Sequence, residues 1–210
     1  MYWSDEGYLL SKSNFDENSI IIEAFTLEHG KHTGIVYGGA SRKQKGNFQI
    51  GNKVLVNWKS KGENKSGYFN IELIKPISPI FFDDKKKSVC ILSATSILKI
   101  LLPERQINKK IYASFEKMLD DLNSNNWIIL YIYWELSLIK ELGYETNLNE
   151  FSNKFTKVPN LLLNKNIENN IKHEIKEALN FNKKLIIENF IEPNRLRFPL
   201  FREILQNYFS

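Results

Sequence analysis

Between His29 and Lys65 the chain carries eight basic residues, Lys31, Arg42, Lys43, Lys45, Lys53, Lys59, Lys61 and Lys65, against one acid, Glu63. This segment holds a local charge of +7 in a protein whose total is +5, so everything else sums to −2. Such a cluster suits one kind of chemistry: ammonium and guanidinium groups neutralise phosphates and release counterions without reading a base. Two stretches concentrate the charge. Gly38-Gly39-Ala40-Ser41-Arg42-Lys43-Gln44-Lys45-Gly46 joins three cations to a glycine-rich backbone, and Ser60-Lys61-Gly62-Glu63-Asn64-Lys65-Ser66-Gly67 adds two more. With Lys31 and Lys59 beside them, the candidate phosphate contacts are Lys31, Arg42, Lys43, Lys45, Lys59, Lys61 and Lys65. The bulk pI of about 9.1 adds little. Twenty-four lysines against five arginines, with 24 asparagines, point to a compositional bias that supplies lysine regardless of role.

Base stacking needs exposed aromatic rings, and the segment offers Tyr37, Phe48, Trp58 and Tyr68. Trp58 shares strand parity with Val54 and Val56 and is expected to face the core. Tyr37 shares parity with Ile35 and also leans inward. Tyr68 has solvent parity and is the candidate for base stacking.

Other chemistries find no support. There is no G-x-x-x-x-G-K-[ST], G-x-G-x-x-G or G-x-S-x-G, and His173-Glu174 lacks the second histidine of a zincin helix. Three histidines and one cysteine make no convincing metal site, and Cys90 between Val89 and Ile91 reads as a small buried apolar residue. The adjacent pairs Asp5-Glu6, Asp83-Asp84 and Asp120-Asp121 read as solvated surface. The expectation is a protein with no catalytic residues, no metal and no cofactor. The first residues lack a basic region followed by an apolar one, and no apolar run reaches membrane-spanning length, so a cytoplasmic location without membrane contact is expected.

The elements that must carry these loops follow from glycine and from periodicity. Nine of the ten glycines fall within the first 67 residues. Strands are expected over 7–12, 19–26, 33–38, 53–59 and 68–74, the last alternating Phe69, Ile71 and Leu73 against Tyr68, Asn70 and Glu72. Five short strands suit a closed barrel of the oligonucleotide-binding (OB-fold) kind, in which the connection between strands four and five is a usual ligand loop. The connection between the first two strands contains Asp16 and Glu17 and suits phosphate poorly. Pro76 and Pro79 punctuate a linker, after which the period becomes helical. A helix over 89–102 should stop at Pro103. Further stripes are Ile107, Ile111, Phe115, Met118 and Leu122; Trp127, Tyr131, Trp134 and Leu138, closed by Gly143; and Ile167, Ile171, Ile175 and Leu179. A polar, asparagine-rich stretch over 146–170 interrupts them. The fold class is thus α+β and multidomain: an OB-fold β-barrel over 1–80, then an all-α helical domain over 81–210.

Read in order, Trp3-x-Asp5-Glu6-Gly7, Leu10, Glu17-Asn18-Ser19, Thr26-x-Glu28-His29-Gly30, Gly38-Gly39-x-Ser41-Arg42 and Gln49-x-Gly51 resemble the amino-terminal barrel of the RecO family, bacterial recombination mediators. Leu102-Pro103-Glu104 and Trp134-Glu135-Leu136-x-Leu138-x-x-x-Leu142-Gly143-Tyr144 resemble the helical domain of the same family, and Arg195-Leu196-Arg197 to Arg202 is loosely similar. Many members carry a cysteine-based zinc module just after the Leu-Gly-Tyr block. This chain has Asn147-Leu148-Asn149-Glu150-Phe151 there, so the module is expected to be lost or reduced near 146–170.

The resemblance implies a non-enzymatic DNA repair factor of the bacterial cytoplasm and nucleoid. Such a factor binds single- and double-stranded DNA, anneals complementary strands and helps load RecA onto DNA coated by single-strand-binding protein. Its implied partners are RecR and the acidic, apolar C-terminal tail of the single-strand-binding protein, the latter docking on the helical domain. The basic loops would equally serve an RNA-binding barrel, and the helices a protein-interaction adaptor whose charge is incidental.

Overall fold

The computed structural model describes residues 1–41, 44, 46–60, 62, 67–144, 158–163 and 171–210. Five strands come first: β1 (Tyr2–Asn14), β2 (Ile20–Thr26), β3 (Gly30–Val36), β4 (Lys53–Lys59) and β5 (Gly67–Lys75). Their order, β1-β2-β3-β5-β4, closes on itself as a barrel, with β4 paired back to β1. This is the OB-fold expected from the glycine and strand pattern. Alternation decides which side chains fill it. Val54, Val56 and Trp58 of β4 and Phe69 and Ile71 of β5 point inward, to meet Leu9, Ile20, Ile22, Ala24, Val36 and Phe48. Leu73, which has the same parity and pairs with buried Val54, is exposed.

Closure depends on one parallel contact, Gly34 opposite Gly67 and Ile35 opposite Tyr68. Glycine is needed at 67 because a Cβ there would lie 1.9 Å from Trp58 Nε1. The turns use local capping. The Asp16 carboxylate accepts the backbone N–H groups of Asn18 (2.8 Å) and Ser19 (2.6 Å), fixing the β1–β2 turn.

Two carboxylates read as solvated surface have structural partners instead. Asp5 has inward parity and is buried; its Oδ2 accepts the Glu28 N–H at 2.7 Å and lies 3.0 Å from His29 Nδ1. Asp84 is the N-cap of helix α1 (Lys85–Leu101), accepting from the N–H groups of Lys86 and Lys87 at 3.1 Å each. Helix α1 packs on β1 and ends one residue before Leu102-Pro103, as proline requires. The chain then crosses β3. Lys31 bridges Glu104, and Lys31 O accepts the Arg105 N–H at 2.8 Å. Gly30, with φ +74°, permits this approach, since a Cβ there would sit 2.2 Å from the Gln106 carbonyl oxygen. The Gly30 and Leu102-Pro103-Glu104 blocks of the sequence therefore meet in space.

The described residues form two compact units, Met1–Tyr112 and Ala113–Ser210. Helix α1 and the start of α2 (Lys109–Asp120) belong to the first, where Tyr112 packs against Tyr8 and Phe25. The second contains the rest of α2, then α3 (Trp127–Glu141), α4 (Ile171–Ile186) and α5 (Leu200–Asn207), with a single π turn over Ile187–Ile191. Gly143 follows α3 with φ +93°, the left-handed value of a helix C-terminus. Of the expected stripes, Phe115, Met118, Leu122, Tyr131, Trp134, Leu138, Ile175 and Leu179 are buried in this unit. Ile107 and Ile171 are exposed because each lies at or before the start of its helix, and Ile167 is outside the described residues. Within the polar stretch, residues 158–163 are described. Val158, Leu161 and Leu162 are buried there, and the Leu161 carbonyl accepts the Tyr133 hydroxyl at 2.6 Å.

The last helix is held by a buried ion pair. Arg202 of α5 and Glu135 of α3 are both 0% exposed. Arg202 Nε donates to Glu135 Oε1 and Nη2 to Oε2 at 3.0 Å, and Nη2 also donates to the Leu179 carbonyl at 2.9 Å. The Tyr131 hydroxyl (2.7 Å, to Oε1) and Asn182 Nδ2 (3.2 Å, to Oε2) complete the carboxylate's partners. A bidentate pair with its remaining lone pairs satisfied is the arrangement in which a buried charge is tolerated.

Candidate nucleic-acid interface

The barrel's outer face is set by the same alternation that fills its interior. Pairing register places Tyr2 of β1 opposite Lys59 of β4, Lys59 opposite Tyr68 of β5, and Tyr68 opposite Ile35 of β3. All four are outward, because their chain neighbours Trp3, Trp58, Phe69, Gly34 and Val36 turn inward. A second row runs beside it, Ser4, Asn57 and Asn70. The Tyr2 hydroxyl donates to Asn57 Oδ1 at 3.2 Å and joins the rows.

One step beyond β3, Tyr37 stacks on Tyr68 with ring centroids 5.3 Å apart and planes inclined by 27°. Tyr37 is 63% exposed, contrary to the inward position expected for it. The inward residues of β3 are His32, Gly34 and Val36, and Gly34 has no side chain to reveal that parity in the sequence. Hydrogen bonding to the Tyr68 side chain, ahead of burial, raises the Tyr37 hydroxyl above the ordinary tyrosine range. Two open grooves flank the pair. One, of ≈ 370 Å³, is lined by Tyr2, Asn57, Lys59, Tyr68, Phe69 and Asn70. The other, of ≈ 250 Å³, lies against Tyr37, the Gly38-Gly39 turn, Ser41 and Gln44, with Phe48 at its wall and Phe69 and Asn70 shared with the first.

The candidate cations divide into three groups. Lys59 is exposed within the outer row. Arg42, Lys43, Lys45, Lys61 and Lys65 lie outside the described residues; their described neighbours Ser41 and Gln44 border the second groove, and Ser60 and Gly62 follow Lys59. Lys31 is removed from the surface. It has outward parity, but residues 102–106 cover it; it is 8% exposed and its Nζ donates to the Lys99 carbonyl at 2.7 Å. Burial, ahead of the neighbouring charges, lowers its pKa, and its role is to tie β3 to α1.

Sequence reasoning did not find the aromatic cluster inside the same barrel. Trp3 stacks on His29 (4.1 Å, 9°) and on Trp58 (5.5 Å, 17°), and His32 stands edge-on to Trp3 and Trp58. Burial, with help from Arg105 and His29, lowers the His32 pKa to about 4. Among the described residues, buried His32 Nδ1 and Trp58 Nε1 find no hydrogen-bond partner. The Trp3-x-Asp5 and His29-x-x-His32 spacings were its signal, legible only once β1 and β3 are known to share an interior. Among the described residues, no three His, Cys, Asp or Glu side chains come together as a metal site. Nor is any described helix long and apolar enough to cross a membrane.

Comparison with known proteins agrees with the barrel-then-helices order. The chain matches the family described as Recombination protein O N terminal over residues 1–77 and Recombination protein O C terminal over residues 83–179. It is similar to the DNA repair protein RecO of Roseobacter denitrificans, 34% identical over 145 residues, covering 69% of this chain and 60% of that protein. The DNA repair protein RecO of Hyphomonas neptunium is 33% identical over 153 residues, covering 71% and 63%, and that of Cereibacter sphaeroides 33% over 146 residues, covering 70% and 61%. The chain thus spans 60–63% of the length of these relatives. With both family matches in chain order on an OB-fold barrel and a helical region, the chain belongs to the RecO family of DNA repair proteins.

Proposed function

We propose that this chain is a DNA-binding recombination mediator with no covalent chemistry of its own. It binds single- and double-stranded DNA through the barrel, anneals complementary strands and, with RecR, helps load RecA onto DNA coated by single-strand-binding protein in the bacterial cytoplasm and nucleoid. The observation that carries this reading is the segregation of charge: +7 within residues 29–65 of a chain otherwise at −2, with Lys59 on an outer row of the barrel between Tyr2 and Tyr68. Arg42, Lys43 and Lys45, with Lys59 and Lys61, are the phosphate contacts; Lys65 lies beside them in sequence, and Lys31 has no part. Residues 1–80 form the nucleic-acid module and the helices after it the partner-binding module, with the zinc module of relatives lost or reduced near 146–170.

Five phosphate contacts give a single-strand salt slope of about −3.5, at roughly −0.7 for each. Replacing Arg42, Lys43 and Lys45 by Glu should flatten the slope and weaken all DNA sequences alike. An unchanged affinity and slope in a triple variant that circular dichroism shows to be folded would remove these residues from the interface. For the helical module, support comes from exposed Leu196, Leu200 and Phe201 beside Arg195 and Arg197, a pairing of apolar and basic groups suited to an acidic tail ending in apolar residues. A peptide ending in Asp-Ile-Pro-Phe should bind the intact protein, more weakly as salt rises; no binding at low salt would exclude this partner.

A further inference from the structure

We infer that the outer face of the barrel takes two unpaired DNA bases, one on either side of the Tyr37–Tyr68 stack, and holds them by their faces without selecting among them. The inference rests on the DNA-binding reading above and goes further, naming the form of nucleic acid the face accepts and the groups that accept it.

Four observations converge. First, a tyrosine 63% exposed on a barrel with a well-filled interior is not needed by the core, yet its ring is held in place by its neighbour. Second, each side of the pair opens onto its own groove, so the stack is a partition with a ring facing each space: Tyr68 with Tyr2 in the first, Tyr37 in the second. Third, both grooves share the amide of Asn70, and Asn57 lines the first. A primary amide offers donors and an acceptor together and can meet any base edge. Fourth, Lys59 borders the first groove. A strand crossing the partition would keep a phosphate near Lys59 while its bases turn toward the barrel. A duplex cannot do this without unstacking, because its base faces are already covered. The occupant is therefore single-stranded DNA.

The test compares oligo(dT) with an abasic strand of equal length and phosphate count, by anisotropy at one salt concentration. The wild-type protein should bind oligo(dT) about 100-fold more tightly than the abasic strand, each of the two bases stacked on a tyrosine accounting for roughly a tenfold part of that ratio. The Tyr37→Ala/Tyr68→Ala variant should lose the ratio while keeping its affinity for the abasic strand and its salt slope. Tyr37→Phe/Tyr68→Phe should keep the ratio, since a ring face remains. Equal binding of the two strands by the wild type overturns the inference while leaving the phosphate reading intact, and this arm needs no variant to fold. A ratio that survives the double alanine variant places the bases elsewhere and also overturns it. Failure to bind either strand would defeat the inference and the underlying reading together.

Discussion

The two units of this protein place their cations in opposite ways. The barrel fills its core with aliphatic and aromatic groups, buries the Asp5 carboxylate beside His29, and puts its described cations outside or at its flank, Lys59 in an outer row and Lys31 tied to α1. The helical unit takes a guanidinium and a carboxylate wholly inside, Arg202 against Glu135, and uses them to fix its last helix. A closed sheet satisfies its own backbone and fixes its own register, so its surface side chains are free for a ligand. A short eight-residue helix has no such frame, and a buried pair supplies the position. The described cations thus lie on the surface and at the flank of one region, whereas in the other a cation serves as an internal tie.

The comparison breaks most visibly at Arg202. Arg202→Met alone should destabilise the protein by about 3–5 kcal/mol, because Glu135 is left charged and buried, whereas Arg202→Met with Glu135→Leu should recover most of the loss. Urea unfolding followed by far-ultraviolet circular dichroism would measure both, and equal losses would show that the pair's packing matters more than its charge. Gly30→Ala should cost about 1–3 kcal/mol through its left-handed backbone and its contact with Gln106. Its effect should appear in the first unit, read as a local rise in amide exchange over β3 and residues 102–106.

A third test uses pH. The folded His32 prefers to be neutral, with a pKa of about 4 against about 6.5 for an ordinary histidine, so the unfolded chain binds the proton first. Stability should be full above about pH 6.5, fall as pH drops toward 4 and level off below, by on the order of 2 kcal/mol from this group after allowance for solvent screening. His32→Gln should flatten that part of the profile, and a profile unchanged by the substitution would assign the acid sensitivity to other groups. The smallest effect is expected at Lys59. Lys59→Ala should leave stability within about 0.5 kcal/mol and reduce the single-strand salt slope by about 0.7, and an unchanged slope would take Lys59 out of the outer-row interface.

Much of this architecture was legible in the residues. Val54, Val56 and Trp58 alternate without interruption, Phe69 and Ile71 do the same, Pro103 stops α1 and Gly143 follows α3. Local rules decide each of these. What could not be read depends on partners distant in the chain. Lys31 looked like its surface neighbours until residues 102–106 were laid across it. Tyr37 was misjudged because Gly34 hides the inward parity of β3 and the strand ends before Tyr37 is reached. Glu135 and Arg202 stand 67 positions apart, and nothing near either residue marks it as a buried charge. The charge cluster and the outward parity of Tyr68 were visible in the sequence, whereas the outer row emerged only when register brought Tyr2, Lys59 and Tyr68 into line.

Barrel closure also has a consequence in time. Tyr2 pairs with Lys59, and β3 meets β5 through Gly34 with Gly67 and Ile35 with Tyr68, so β1 waits for β4 and β3 waits for β5 before either finds its second neighbour. Ordering contacts so distant along the chain slows a folding nucleus, because loop entropy is lost before the contacts return anything. On the ribosome, at about 5–20 residues per second, the β1-β2-β3 meander stands open for seconds with two unpaired margins. Pulse-labelled amide exchange during refolding should find α3 and α4 protected before the β1–β4 ladder. Simultaneous protection would mean that the ring assembles as fast as the helices.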